Sequence, residues 1–211
     1  MNLNPGVRQI RFVLKPAVFL LSLLPFLWIT AAVFELGGLS LGPNPVESLQ
    51  DFLGIWGLRF ILITLAVTPL RDLLGKPWPL AFRRMLGLFA FFYCALHFLT
   101  WLILDQSLDA DAIVEDIFER PFITIGTAAL LLLIPLAITS TAGWRRRLGP
   151  RWQQLHWLIY PTAILICWHY YWQVKLDTVD ALVYTLICAA LLGYRIYKRR
   201  AKKRTQKSRT S

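Results

Sequence analysis

Cysteine is scarce in this sequence, and the few cysteines present show no spacing typical of metal binding or haem attachment. Cys94, Cys167 and Cys188 all lie inside apolar runs and form neither a CxxC nor a CxxCH motif. The spacing therefore excludes a thioredoxin-like redox motif and a covalently attached c-type haem. We expect the three thiols to serve as small buried apolar groups.

Two further absences narrow the class of protein. No glycine-rich phosphate-binding loop is visible, and the segments between the apolar runs are too short to hold a soluble domain. Self-contained oxidation of a nicotinamide nucleotide, which needs a dinucleotide-binding domain, is therefore not expected. Any chemistry must lie within or against the apolar part of the chain.

Long apolar runs dominate what is present, with 56% hydrophobic residues and a mean hydropathy of +0.52. About 20 apolar residues span the roughly 30 Å hydrocarbon core of a bilayer as a helix. The pattern predicts an all-α integral membrane protein, a six-helix transmembrane bundle without an evident internal repeat. An acidic segment after the third span is expected to form an interfacial helix. The six predicted spans cover residues 17–34, 53–70, 82–104, 122–141, 152–172 and 179–197.

The net charge of +11 follows the predicted membrane topology, because most basic residues lie in segments on one side of the membrane. They do not form a nucleic-acid-binding module. With six spans, 20 of the 23 Lys and Arg fall on one side of the membrane, whereas Asp72 alone of the 12 acidic residues shares that side. An excess of Lys and Arg marks the cytoplasmic face and attracts anionic lipid. We predict a cytoplasmic N-terminus (1–16), a six-span transmembrane domain (17–197) and a basic cytoplasmic tail (198–211), with no nucleic-acid partner.

The three histidines, His97, His156 and His169, all lie in predicted spans, where ionisable side chains are costly and usually functional. His97 lies about 15 residues into the third span and His169 about 17 residues into the fifth. Both spans run from the cytoplasmic to the outer face, so the two imidazoles should meet at a similar depth in the outer half. Imidazole suits iron, and axial histidines commonly hold haem, so His97 and His169 are predicted to bind one b-type haem.

His156 lies about 20 Å before His169 along a helix, near the cytoplasmic side. Arg83 and Arg84 occupy the corresponding level of the third span. The pattern is that of a two-haem bundle with one histidine missing, so His156 is a candidate ligand of a second haem. Arg83 and Arg84 are candidate partners of a propionate. Thirteen residues miss the same helix face by about 140°, however, and without a distortion near Pro161 a single outer haem is the safer reading.

Several stretches resemble a known family, above all AITSTAGWRRRLGPRWQQLHWLIYPTAILICWHYYWQVK, together with VTPLRDL, RRMLGLFAFFYCALHFLTW and ERPFITIG. The sequence resembles the haem-binding membrane subunits of the periplasmic protein-methionine-sulfoxide reductase system, within the ferric-reductase-like transmembrane group. The likeness extends over nearly the whole chain, from residue 23 to the sixth span.

The resemblance implies an electron-transfer subunit of the bacterial inner membrane rather than a catalytic subunit. Electrons would come from the quinone pool or a cytoplasmic flavin reductase. They would pass to a periplasmic molybdopterin enzyme that repairs oxidised proteins. The resemblance also implies FMN beside haem b, with the basic cytoplasmic loops as the place for its phosphate. Two alternatives stay open: a stand-alone ferric or quinone reductase, and a transporter or structural subunit without haem.

Overall fold

A computed structural model describes residues 5–174 and 178–207, the last six of these by their backbone alone. These residues form ten α-helices and no β-strand, with short π- and 3-10 turns between some of the helices. The α-helices are α1 (Val7–Gln9), α2 (Lys15–Val33), α3 (Pro45–Leu74), α4 (Arg83–Thr100), α5 (Ala110–Glu119), α6 (Pro121–Ile138), α7 (Ala142–Leu148), α8 (Pro150–Leu155), α9 (Ile159–Gln173) and α10 (Thr178–Lys207).

Among the described residues, five helical stretches are long and apolar enough to cross a membrane. An integral membrane helical protein is thereby confirmed, and the helix expected in the acidic segment is present as α5. The candidate spans are Val7–Val33, Pro45–Leu74, Arg83–Asp105, Pro121–Ile138 and Thr178–Ala201.

The predicted fifth span is a broken helix rather than a continuous one. A 3-10 turn, His156–Leu158, separates α8 from α9, and the 15 residues of α9 extend only about 22 Å at 1.5 Å per residue. The turn ends just before Pro161, whose missing N–H and fixed φ are tolerated in the first turn of a helix. A distortion near Pro161, without which a single outer haem is the safer reading, is therefore present, and a sixth crossing remains a prediction.

The ends of the bundle also differ from the predicted boundaries. Helical structure begins at Val7 and includes a π-turn, Ile10–Leu14, so Arg8 and Arg11 lie within the first helical stretch rather than before it. The basic tail expected from residue 198 continues α10 as far as Lys207. The helices continue through basic residues beyond the apolar runs, because Lys and Arg are good helix formers.

Helix α3 lies at the centre of the core. It packs mainly against α4, while α6 packs mainly against α9, and α10 covers both α9 and α3. Leu58, Ile61 and Leu65 on α3 are each only 1% exposed. The outer surfaces of α2 and α10 stay apolar and exposed, as expected for helices that face lipid.

Two prolines inside helices are accompanied by side chains from other helices. Tyr93 of α4 is fully buried; its hydroxyl accepts from the N–H of Phe26 (3.0 Å) and donates to the carbonyl of Ser22 (2.8 Å), beside Pro25 of α2. An α-helix would pair these two backbone groups with each other. The hydroxyl therefore links α2 to α4 through the backbone of α2.

The second proline, Pro69 of α3, cannot donate to the carbonyl of Leu65 because it has no N–H. The buried guanidinium of Arg195 on α10 donates to that carbonyl instead. Backbone groups without a partner are costly inside a membrane. Arg195 therefore has a structural role between α3 and α10.

Asp72, the acidic residue expected on the basic side, joins α3 to α10. Its carboxylate accepts from the Nη2 of Arg71 at 2.5 Å and from the hydroxyl of Tyr194 at 2.8 Å, and it pairs with Lys198. The carboxylate therefore holds the first turns of the basic tail against the end of α3.

Candidate functional site

His97, near the end of α4, is held by the backbone of α3. Its Nδ1 lies 2.8 Å from the carbonyl oxygen of Gln50. A carbonyl oxygen can only accept, so Nδ1 must carry the proton and donate it. In the neutral ring, this bond leaves the lone pair on Nε2, the nitrogen that is then available to a metal.

His169, near the end of α9, repeats this arrangement on a different pair of helices. Its Nδ1 lies 2.7 Å from the carbonyl oxygen of Phe122, in the first turn of α6. In both cases the histidine follows the residue that supplies the carbonyl by 47 residues. The repeated arrangement was not evident from the sequence. It orients both imidazoles by the backbone and assigns the same tautomer to both.

The structure brings His97 and His169 together, as their predicted depths required. The ring centres lie 6.1 Å apart, with 75° between the ring planes. An iron bound by one nitrogen of each ring, at the roughly 2 Å metal–imidazole distance of proteins, places the ring centres about 6 Å apart. The paired-histidine site, His97 with His169, therefore fits a haem iron, which these two imidazoles would hold.

His156 has different surroundings. Its ring stacks on Trp152 at 3.9 Å, and its Nε2 lies 3.1 Å from the hydroxyl oxygen of Thr139. That hydroxyl donates to the carbonyl of Pro135 at 2.6 Å, so it accepts from a proton on Nε2 of His156. Nε2, which carries the free lone pair in the other two histidines, is therefore occupied in His156.

A cavity of about 280 Å³ lies beside His156, at the opposite end of α4 from His97. We call it the arginine-lined cavity, because Arg83, Arg84 and Arg145 line it together with His156. The hydroxyl of Thr64, on its α3 wall, is buried without a hydrogen-bond partner. His156, Arg83 and Arg84, the candidates predicted on the cytoplasmic side, thus all line one cavity. The arginines make this cavity suited to an anionic group.

Several residues of these two sites were not found from the sequence. Gln50 and Phe122 act through their backbone carbonyls, which leave no signal in residue type. Thr139 and Trp152 contact His156 across helix boundaries that apolar patterning does not resolve.

Arg59, in the apolar run of α3, could have been found, because an arginine inside a span is itself a signal. Its Nε donates to the hydroxyl of Tyr184 at 2.9 Å, and its guanidinium lies over the ring of Trp56. The guanidinium of Arg59 therefore has one partner on its own helix, α3, and one on α10.

Fold and site together define an integral membrane protein, helical over the described residues, with two imidazoles 6.1 Å apart on separate helices. Comparison with known proteins specifies the family. Residues 53–167 match the family described as "Ferric reductase like transmembrane component". No solved structure matches.

Named relatives are similar over most of their length. The "Protein-methionine-sulfoxide reductase heme-binding subunit MsrQ" of Azospira oryzae is 49% identical over 94% of this chain and 84% of its own. The protein of the same name from Xanthomonas euvesicatoria pv. vesicatoria is 47% identical over 87% of this chain and 84% of its own. The chain belongs to the MsrQ family of heme-binding subunits, within the ferric-reductase-like transmembrane group, as the sequence resemblance predicted.

Proposed function

We propose that the chain is the electron-transfer subunit of a protein-methionine-sulfoxide reductase and that His97 and His169 hold a b-type haem. One observation carries the proposal: two imidazoles on separate helices lie 6.1 Å apart, each with Nδ1 bonded to a backbone carbonyl. The names of the relatives support haem binding and the assignment to this reductase.

A bound haem supplies a one-electron carrier within the bilayer. The chain's own part is to bind and orient it. The carbonyls of Gln50 and Phe122 fix the two rings and raise their basicity as ligands. Both histidines keep part of their surface accessible, so neither ring is fully enclosed by protein.

The proposed topology has six crossings, with the broken segment from α8 to α9 as the fifth and both termini in the cytoplasm. The concentration of Lys and Arg at the end of the bundle that contains the arginine-lined cavity supports this orientation. The paired-histidine site then lies toward the periplasm of a bacterial inner membrane. The short α9 is compatible with a crossing because α8 and the 3-10 turn continue its path.

The arginine-lined cavity is proposed to hold an anionic cofactor near the cytoplasmic face. Arg83, Arg84 and Arg145 would pair with the propionates of a second haem or with the phosphate of FMN, and the free hydroxyl of Thr64 would donate to it. His156 would bind the iron of a second haem through Nε2 only after releasing Thr139.

Electrons would enter from quinol or a cytoplasmic flavin reductase and leave to a periplasmic molybdopterin subunit. The exposed carboxylates around α5 lie beside α6, whose first turn contacts His169, and support a docking surface of negative charge. These carboxylates belong to Asp109, Asp111, Glu115 and Glu119.

The test uses full-length protein purified from haem-supplied cells and placed in lipid vesicles. A quinol analogue should reduce the haem. Adding the catalytic subunit with methionine sulfoxide should then reoxidise it. A pyridine haemochrome assay gives the ratio of haem to protein. Absence of a Soret band would refute haem binding and favour the transporter or structural alternative. Haem reoxidised by ferric chelates but not by the subunit would favour a stand-alone reductase.

A further inference from the structure

The space occupied by the ring of His97 depends on the absence of a side chain on α3. Gly54 faces this ring, and a Cβ built on Gly54 would lie 3.0 Å from Nδ1 and 3.1 Å from Cε1 of His97. Carbon atoms in proteins rarely approach a ring so closely. An alanine at this position would therefore displace the imidazole.

Gly126 of α6 has the same relation to His169. A Cβ on Gly126 would lie 2.9 Å from both Nδ1 and Cε1 of the ring. This contact is shorter than the one at Gly54, so an alanine here requires a larger movement. The ring edge that would be displaced is the edge that donates to the backbone.

Each glycine follows its carbonyl by four residues, Gly54 after Gln50 and Gly126 after Phe122. Residues four apart lie on one face of a helix, one turn apart. Carbonyl and glycine thus form one cradle, in which the carbonyl accepts the Nδ1 proton and the glycine leaves room for the ring. The cradle occurs twice with identical spacing, once on α3 for α4 and once on α6 for α9.

We propose that Gly54 and Gly126 are positioning residues that set the orientation, and through it the ligand strength, of His97 and His169; the inference rests on the proposed function of these histidines. Adding a methyl group pushes the ring away from the carbonyl. The Nδ1 proton then loses its acceptor, and Nε2 no longer points in a fixed direction. Glycine is itself a poor helix former, so an alanine without this contact would stabilise α3 or α6.

The first experiment compares Gly54→Ala and Gly126→Ala in the full chain, in detergent and with haem supplied during expression. We expect haem retention to fall about tenfold or more, as for other groups that orient a ligand, with the larger effect for Gly126→Ala. Electron paramagnetic resonance should show altered low-spin g-values.

Two glycine variants serve as controls. Gly193→Ala on α10 meets no heavy atom within 4 Å and should keep the low-spin spectrum of the wild type. Gly57→Ala on α3 would meet the Sγ of Cys94 at 2.7 Å and its backbone N at 3.4 Å, and it measures the effect of disturbed α3–α4 packing without a direct histidine contact. Its effect on the spectrum should be smaller than that of Gly54→Ala. Wild-type g-values and haem content in both Gly54→Ala and Gly126→Ala would overturn the proposal.

A double-mutant cycle keeps the proposal testable if the single variants bind no haem or fold poorly. The contact between the added methyl group and the His97 ring should lower the thermal stability of haem-free Gly54→Ala protein. In a His97→Ala background the methyl group meets no ring, so this loss of thermal stability should disappear. A loss that persists would show that Gly54 acts through another group, which overturns the proposal. His97→Ala protein that keeps the wild-type low-spin haem signal would instead refute the proposed ligand while leaving the glycine contact intact.

Discussion

The histidines at the two ends of the bundle use different ring nitrogens in their hydrogen bonds. At the paired-histidine site, His97 and His169 each donate from Nδ1 to a backbone carbonyl and leave Nε2 free. At the arginine-lined cavity, the Nε2 of His156 is engaged by a hydroxyl, and three arginines line the adjoining space. The first arrangement leaves Nε2 available to a metal, whereas the second engages Nε2 beside positively charged side chains. Residue type alone does not distinguish them, because the hydrogen-bond partner decides which nitrogen is available.

The largest expected effect comes from removing an imidazole of the pair. His97→Ala or His169→Ala should abolish most of the low-spin haem signal, because the iron loses one of its two axial ligands. His156→Ala should keep at least one haem. Reduced-minus-oxidised spectra of the purified variants measure this difference. A full reduced spectrum in both variants of the pair would contradict the assignment.

A smaller effect, confined to the cavity, is expected from Arg83→Gln and Arg84→Gln. Hydrogen bonds to charged groups contribute about 1.5–3 kcal/mol, which corresponds to roughly tenfold or more in occupancy of an anionic cofactor. Flavin content and the haem ratio report the loss, while the low-spin signal of the pair should stay unchanged.

Arg146→Gln provides the control for net charge, since Arg146 is exposed on α7 and does not line the cavity. Equal losses from Arg146→Gln and Arg83→Gln would mean that the basic loops act through general charge rather than through a site.

The smallest effect should follow Thr139→Val, which removes the hydroxyl that accepts from His156 but preserves the shape of the side chain. Loss of one hydrogen bond costs about 1 kcal/mol. Ligation by His156 should become easier, because its Nε2 is released. Titration with haem measures the change. Thr185→Val removes a similar hydroxyl-to-carbonyl bond on α10 and should leave haem binding unaltered. An identical response of both variants would show that the Thr139 hydroxyl does not control His156.

The level of His97 and His169 was predictable because helix rise and span direction place both residues in the same half of the bundle. Their cradles were not predictable, since Gln50, Gly54, Phe122 and Gly126 act through a carbonyl or through a missing side chain. Apolar patterning located α2, α4 and α6 well, whereas α3 begins at Pro45, before the predicted start at residue 53, and α10 continues past the predicted end at residue 197. It could not reveal the turn His156–Leu158, because a 3-10 turn accommodates the same residue types as an α-helix.

The hydroxyl of Tyr93 inside α2 has a consequence for assembly. A nascent α2 enters the bilayer before α4 has been synthesised, so Phe26 and Ser22 at first lack the hydroxyl that later lies between their backbone groups. Until α4 arrives, these two groups can pair only with each other, as in a regular helix, so the hydroxyl enters between them only after the two segments have associated. The final backbone hydrogen bonding of α2 therefore depends on Tyr93 of α4, a helix that is synthesised later.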